Sequence, residues 1–244
     1  MTHIPQRTAL VVGATGAFGH AAAQAASRDA SGEAQSASGV VRITAPDFMG
    51  VEVLPPILAE VCARHPEVVI ELDLSNRPED LLRREADIAV RTIRPVQSAL
   101  VARRIGVIPV GLFAHKRYLE RRGMPESFDD PGQRAIGFDR DWQVQQSLAA
   151  AGLPLTREAF GFRADNQLAQ LAAVRAGIGI GACQYGVARR DPDLVPVLTE
   201  AFRFDLEIWV AMHEDLKSSL RMRLLFDALA AGLAAYVASS AVQP

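Results

Sequence analysis

A chain of 244 residues, 49% hydrophobic and 22% charged, carries enough apolar material for one large core or two modest ones, which excludes a mostly disordered polypeptide. A formal net charge of −2 and a pI of 6.2 withhold the basic balance with which a duplex-binding module meets phosphates. The two cysteines, Cys62 and Cys183, lie far apart and the five histidines are isolated, so no metal-ligand spacing is present and no metal is expected. Both thiols are expected to be reduced core side chains of a cytoplasmic protein. The pairs Arg83-Arg84, Arg103-Arg104, Arg121-Arg122 and Arg189-Arg190 are short, interrupted by acids, and read as solvated surface. No basic leader precedes an apolar stretch and no apolar run reaches the ~18 residues of a membrane span, so neither export nor a membrane partner is expected.

In chain order, Thr8 to Val12 reads as a strand, followed by Gly13, Gly16 and Gly19 and an alanine-rich run to Ala26. These residues resemble the first turn of short-chain and epimerase-type nicotinamide dehydrogenases, where glycines let a pyrophosphate approach a helix N-terminus. The resemblance covers about the first 25 residues and marks Gly13, Gly16 and Gly19 as the alternative cofactor-binding set. A working site also needs a second strand ending in a ribose-binding acid, and instead the polar linker Ser27 to Ser38 intervenes. Asp47 could fill that role only if the strand before it left its own sheet. Tyr118, Tyr185 and Tyr236 have no lysine four residues on, so a general acid for carbonyl reduction is missing. The expectation is therefore no cofactor and no enzyme, with a nicotinamide-dependent oxidoreductase fragment as the alternative.

Val40, Val41, Ile43 and Thr44 predict a strand, Ala45 to Gly50 a loop, and the spacing of Leu54, Ile57, Leu58 and Val61 an amphipathic helix stopped by Pro66. Val68 to Leu72 gives a second strand, and this strand, loop, helix, strand unit predicts a parallel pair with its loop at the carboxyl edge. After a turn at Ser75 to Pro78, a short helix at 79–86 and a third strand at Asp87 to Arg91 follow. Leu100 to Ala114 is strand-like, with Pro109 excluded from a regular central position. A helix then ends at Gly123, short strands lie at Arg134 to Phe138 and Phe160 to Ala164, and a helix is expected at 144–151 between them. Asp165 or Asn166 is the natural N-cap of a helix over Gln167 to Ala176 with Leu168, Leu171 and Ala172 on one face. Gly177 to Gly181 follows a helix and precedes no Lys-Ser/Thr, which makes it a close-packed turn in preference to a phosphate loop. Asp205 to Met212 is a strand, and Leu220 to Tyr236 a long helix burying Phe226, Leu229 and Leu233.

Six of these blocks, GVVRITAP, VLPPILAEVCARHPEV, ADIAVRTIRPVQSALVARRIG, LFAHKRYLERRG, FRADNQLAQLAAVRAGIGI and WVAMHEDLKSSLRMRLLFDALA, resemble in their order the effector-binding region of LysR-type transcriptional regulators, over about Ser31 to Tyr236. The resemblance implies an α/β fold of two Rossmann-like subdomains of the periplasmic-binding-protein type 2 kind, joined by two crossover strands. It places 39–114 plus 204–238 in the first subdomain and 115–203 in the second, leaving 1–38 as a lead segment or linker remnant. The family's winged helix-turn-helix does not precede these blocks, so DNA binding is expected only if such a domain is supplied elsewhere in a full-length protein. The same resemblance implies a homodimer or higher homo-oligomer, paired through the first helix, which presents Glu60 and Arg64. A free-standing solute-binding protein of similar fold is the remaining rival, and it would carry an export signal.

Two turns are expected to face each other across the cleft, Ala45 to Met49 and Ala164 to Gln167, each offering unpaired amides and a partial positive charge at a helix start. Thr44, Ser75 and Asn166 would add neutral hydrogen bonds, and Phe48, Met49 and Phe138 apolar walls. Asp47 would either cap the first helix or touch the ligand, and an anion beside it requires neutralisation by Arg91 or a helix end. The expected partner is a small polar organic effector, an anionic one modestly favoured.

Overall fold

The computed structural model describes residues 36–76, 86–96, 99–127, 130–141 and 156–242. Its first strand, β1 (Gly39–Ala45), buries Val41, Ile43 and Ala45, the alternation that a half-covered strand dictates. A helix follows after Pro46 alone. Asp47 and Phe48 are already helical, Met49–Val53 forms a π turn, and α1 (Leu54–Arg64) continues from it. The loop expected over Ala45 to Gly50 is thus replaced by helix, closed by the Gly50 amide donating to the Pro46 carbonyl at 2.9 Å. The π turn runs directly into two prolines, Pro55 and Pro56, in the first turn of α1. Pro55 and Pro56 have no N–H, so in an α register the carbonyls of Val51 and Glu52 would have no helical donor and would meet the proline rings. The α pattern is thus interrupted here, and the Leu54 amide reaches back five residues to the Met49 carbonyl. At the other end Pro66 forces His65 out of the helical region, to φ −131 and ψ 69.

Strand β2 (Val68–Leu74) pairs in parallel with β1 along its whole length, and β3 (Ile88–Arg91) pairs in parallel on the other side of β1. Two long antiparallel strands then link the first lobe to the second: β4 (Leu100–His115) and β9 (Phe204–His213). Beyond Val110, β4 leaves β9 and pairs with β7 (Gly181–Gln184) and β8 (Leu194–Val197), so one strand serves both lobes. Pro109 lies inside β4, opposite Asp205, one residue before β7 begins to pair. It has a single neighbouring strand there, a place where a missing donor is tolerated.

The second lobe adds α2 (Lys116–Arg122), whose first turn is capped by His115 and whose end is turned by Gly123 at φ 79. The short parallel pair β5 (Ala135–Gly137) and β6 (Phe160–Arg163) follows, then α3 (Gln167–Arg175), the turn leading to β7, and α4 (Tyr185–Ala188). Gly179 explains that turn. A Cβ there would stand 2.2 Å from the Arg134 carbonyl oxygen, so backbone packs on backbone as the close-packed reading predicts. On α3 the inward face consists of Gln170, Leu171, Ala173 and Val174, whereas Ala172, expected inside, is exposed.

The last helix, α5 (Leu220–Ser240), buries Phe226, Leu229 and Leu233 as expected, together with Met222, Leu225, Ala230 and Tyr236. Contrary to the sequence reading, it is long and apolar enough to cross a membrane by length and composition. Its apolar surface is used inside the protein: a Cβ on Gly232 would meet Ile57 of α1, and one on Gly186 of α4 would meet Tyr236. Of the cysteines, Cys183 is buried as expected but Cys62 is exposed. Leu54, Leu58 and Val61 define the inner face of α1, and Cys62 follows Val61 on the outer one. The expected strand at Thr8 to Val12, the Gly13, Gly16 and Gly19 loop, the helix at 144–151 and, except for Ala86, the helix at 79–86 lie outside the described residues.

Candidate ligand-binding site

Strands β1, β2 and β3 are parallel, so their carboxyl ends share one edge. Thr44 is fully buried at that edge, and its Oγ1 accepts a hydrogen bond from Nη2 of Arg91 at 3.2 Å. The same guanidinium donates through Nη1 to the Val90 carbonyl at 2.9 Å. The Ser75 amide donates to the Ala45 carbonyl at 2.9 Å, and the Asp47 amide to Oδ1 of Asn76 at 3.2 Å. A hydroxyl, a guanidinium and the first turn of a helix are thereby gathered at one place.

Across from them stands the start of α3. Asn166 is its N-cap: Oδ1 accepts from the Ala169 amide at 2.9 Å. That bond turns the amide nitrogen outward, where Nδ2 donates to Oδ2 of Asp47 at 3.3 Å, joining residues 119 apart in sequence. The two helix starts expected to face each other are in contact here, and the Asp47 carboxylate is on Asn166. Its neighbour Asp165 accepts from the amides of Asp139 at 2.7 Å, Arg140 at 3.0 Å and Asp141 at 3.3 Å. The Arg140 amide bond leads in holding the Asp165 carboxyl below the ordinary carboxylate range. These bonds fasten the segment after β5, with half-buried Phe138, to the start of α3.

Phe48 and Met49 occupy different surroundings from the expected walls. They are 5% and 1% exposed and belong to the main core, because the helix begins at Asp47 and turns both side chains inward. The Met49 sulfur accepts from Nε2 of Gln184 at 3.5 Å, and Gln184 Oε1 in turn accepts from the Tyr236 hydroxyl at 2.6 Å. Burial pushes the Tyr236 hydroxyl pKa up, so it remains a donor.

The sequence reading did not anticipate Glu52. Its carboxylate accepts two hydrogen bonds from Arg175, at the end of α3, at 2.8 and 3.0 Å. The Arg175 hydrogen bonds, ahead of the opposing effect of burial, hold the Glu52 carboxyl below its ordinary value, and they raise the guanidinium in return. Arg190 donates to the backbone carbonyl of Glu52, the group that Pro56 cannot serve. The prolines were the available signal, since they announce helical carbonyls that need donors from elsewhere. Among the described residues no group of three or more His, Cys, Asp or Glu could hold a metal. An open depression of about 810 Å³ lies elsewhere, lined by residues including Phe113, Tyr185, Leu194 and Pro196 and by none of the residues expected at the cleft.

Two α/β lobes joined by a pair of crossing strands, with helix starts meeting between them, define a ligand-binding fold of the periplasmic-binding-protein type 2 kind. The chain belongs to the LysR substrate binding domain family, whose model matches residues 34–234. Its sequence is 28% identical over 226 residues to the probable HTH-type transcriptional regulator LtrA of Klebsiella pneumoniae, covering 87% of this chain and 72% of that protein. It is 38% identical over 87 residues to an HTH-type transcriptional regulator of Xanthomonas campestris pv. campestris, covering 36% of this chain and 25% of that protein. With the uncharacterised HTH-type regulator YhjC of Escherichia coli the identity is 35% over 104 residues, 43% of this chain and 35% of the relative. The chain thus spans only about a quarter to a third of these last two curated relatives. Among solved structures, the regulatory domain of CrgA, a LysR-type transcriptional regulator from Neisseria meningitidis, superposes with a TM-score of 0.71 at 24% identity, over 80% of this chain and 99% of that one. The regulatory domain of AphB from Vibrio vulnificus treated with cumene hydroperoxide gives 0.65 at 22%, over 80% and 100%. At these identities the likeness is one of fold.

Proposed function

We propose that this chain is the effector-sensing and dimerising module of a cytoplasmic LysR-type transcriptional regulator, a binding domain that carries out no chemistry of its own. The ligand is a small polar organic molecule, an anionic one modestly favoured, seated between a first subdomain of 39–114 plus 204–238 and a second of 115–203. Thr44, Asp47, Ser75, Arg91, Phe138 and Asn166 surround it, with Phe48 and Met49 supporting the first turn from the core. The observation that carries this reading is the meeting of Asp47 and Asn166 at 3.3 Å, each at the start of a helix in a different lobe. Two helix starts with a buried arginine close by suit a polar ligand. DNA is a partner of the longer protein of which such a module forms part, and the module itself pairs as a two-fold dimer through α1.

The test is a thermal-shift screen of small carboxylic acids, with nicotinamide nucleotide as the control. A stabilising acid is then measured by calorimetry against Asn166→Ala and Phe138→Trp. Weaker binding in either supports the cleft; equal affinity in both rejects it, and stabilisation by nucleotide alone rejects the sensor reading.

A further inference from the structure

Besides the bonds of Gln184 to Tyr236 and of Arg189 to the Ser239 and Ala241 carbonyls at α5, a set of polar contacts to the second lobe comes from one short stretch, Asp47 to Glu52. Asp47 meets Asn166 at the start of α3, Met49 meets Gln184 at the end of β7, and Glu52 meets Arg175 at the end of α3 and Arg190 just beyond α4. Both ends of α3 are therefore fastened to the same turn. That turn is also where helical bonding is disturbed by Pro55 and Pro56 and the π register intrudes. The body of α1 below it is anchored by Leu54, Leu58 and Val61, and within the turn Met49 and Val53 are buried as well, so only its polar side chains reach the second lobe as exchangeable contacts.

We propose that Asp47–Val53 is a latch that fixes the angle between the two lobes, with the Glu52–Arg175 pair as its lock. The Glu52 and Arg175 side chains are 16% and 37% exposed, and the bidentate geometry constrains direction as well as distance. Arg190 on the Glu52 carbonyl holds the backbone of the turn against the second lobe, so the lock is fixed through main chain and side chain together. The strands β4 and β9 supply the connection about which the lobes would swing, and their register shifts between Arg104 and Gly106. An unlatched chain then samples more than one lobe angle about that connection. This goes beyond the proposed function, since the latch acts on lobe geometry whether or not a ligand lies in the cleft.

The experiment is pulsed electron-electron resonance on the full chain, spin-labelled at Val69→Cys in the first lobe and Thr199→Cys in the second, both exposed, with Cys62→Ser removing the exposed native thiol. The otherwise unaltered chain, mixed with an excess of unlabelled chain so that a dimer carries one labelled protomer, should give one narrow distance distribution. Glu52→Gln and Arg175→Gln should each broaden it and move its mean, and the double variant should look like either single one. Lys116→Gln, which breaks a pair with Asp193 lying wholly within the second lobe, should leave the distribution unchanged. Arg175→Lys keeps the charge, gives up the bidentate geometry, and should broaden it less than Arg175→Gln; it also serves if a neutral variant fails to fold. An unaltered distribution in the folded Glu52 and Arg175 variants overturns the proposal, even where their melting temperature falls, because a merely stabilising pair would lower stability without changing the angle. Broadening by Lys116→Gln to the same extent overturns it too.

Discussion

Replacing Asn166 by Asp separates two jobs that one side chain performs. Asparagine and aspartate are equally good N-caps, so the bond to the Ala169 amide should survive, and a negative charge at the start of α3 gains ~0.3–1 kcal/mol from the helix dipole. The outward group changes from a donor to a carboxylate facing Asp47, where the donor now stands 3.3 Å from Oδ2. Like charges about 4 Å apart repel by ~1 kcal/mol in water and ~4 kcal/mol at an effective dielectric of ~20. Asn166 is exposed and Asp47 half-buried, so the lower end applies, at ~1–2 kcal/mol. After the gain at the cap the net loss is ~1 kcal/mol, or ~2–4 °C in melting temperature for a chain of this size. Asn166→Ala should cost a similar ~1 kcal/mol, but by losing the cap. The two mechanisms part when Asp47→Asn is added. With Asn166→Asp the swap restores one donor and one acceptor and should recover the loss, whereas with Asn166→Ala it should recover nothing. The assay is a double-mutant cycle by urea unfolding at neutral pH and low salt, where repulsion is least screened. Additivity within ~0.3 kcal/mol between Asp47→Asn and Asn166→Asp would refute the contact and with it the facing of the two turns.

Gly179→Ala should lower stability by ~3 kcal/mol, read from the denaturant midpoint, since its Cβ would collide with the Arg134 carbonyl that already accepts from the Ile180 amide at 2.8 Å; a loss below about 1 kcal/mol would contradict that packing. Cys183 is buried with its thiol pushed up to about 12, so at pH 8 an aromatic disulfide reagent should modify Cys62 alone in the folded chain and both thiols in urea; prompt labelling of Cys183 would refute its burial. The Glu52 carboxyl is held below its ordinary 4.5, chiefly by its Arg175 hydrogen bonds, so the folded state holds that proton less tightly than the unfolded chain does. Its contribution is therefore complete at neutral pH, starts to decline below about 4.5 and is lost as the pH falls through the lowered folded-state value. The stability difference between the wild type and Glu52→Gln should follow that course, and a difference that grows on acidification would reverse the sign of the argument.

What the sequence made legible follows from periodicity. Strands β1, β2, β3 and β9 and helices α1, α3 and α5 stand where apolar runs, 3.6-residue spacing and caps put them; β1 and the helices bury one face, whereas β3 is buried on both. Asn166 was readable as a cap for the same local reason. The first turn was misread because Pro46 and Gly50 look like loop residues, yet proline is well tolerated just before a helix and Gly50 fits beneath Leu74, where a Cβ would approach to 2.1 Å. Once that turn is helical, Phe48 and Met49 have to point into the core. The Glu52–Arg175 pair was not legible at all, since nothing local links residues 123 apart and each charge in isolation resembles a solvated surface group.

The chemistry of the contacts made by the first helical turn bears on how such a domain can sense anything. Within each lobe the cohesion is apolar: Ile43, Leu54, Ile88, Leu171 and Leu229 are each at most 1% exposed, and separating such surfaces costs ~25 cal/mol for every Å² bared. The turn from Asp47 to Glu52, in contrast, reaches the second lobe through an amide on a carboxylate, an amide on a thioether, and guanidiniums on a carboxylate and a carbonyl. Water can replace each of these partners as the groups part, so the net cost of breaking one is ~0.5–1.5 kcal/mol, and ~1.5–3 kcal/mol where a charge is involved. A few such bonds sum to the range that the binding of one small molecule can offset, whereas an apolar seam of equal extent would not release so readily. Polar contacts exchanged for water at a turn interrupted by Pro55 and Pro56 would let the lobe angle respond at the modest cost one ligand can offset, which is what the proposed latch requires for a ligand between two lobes to be felt beyond its own pocket.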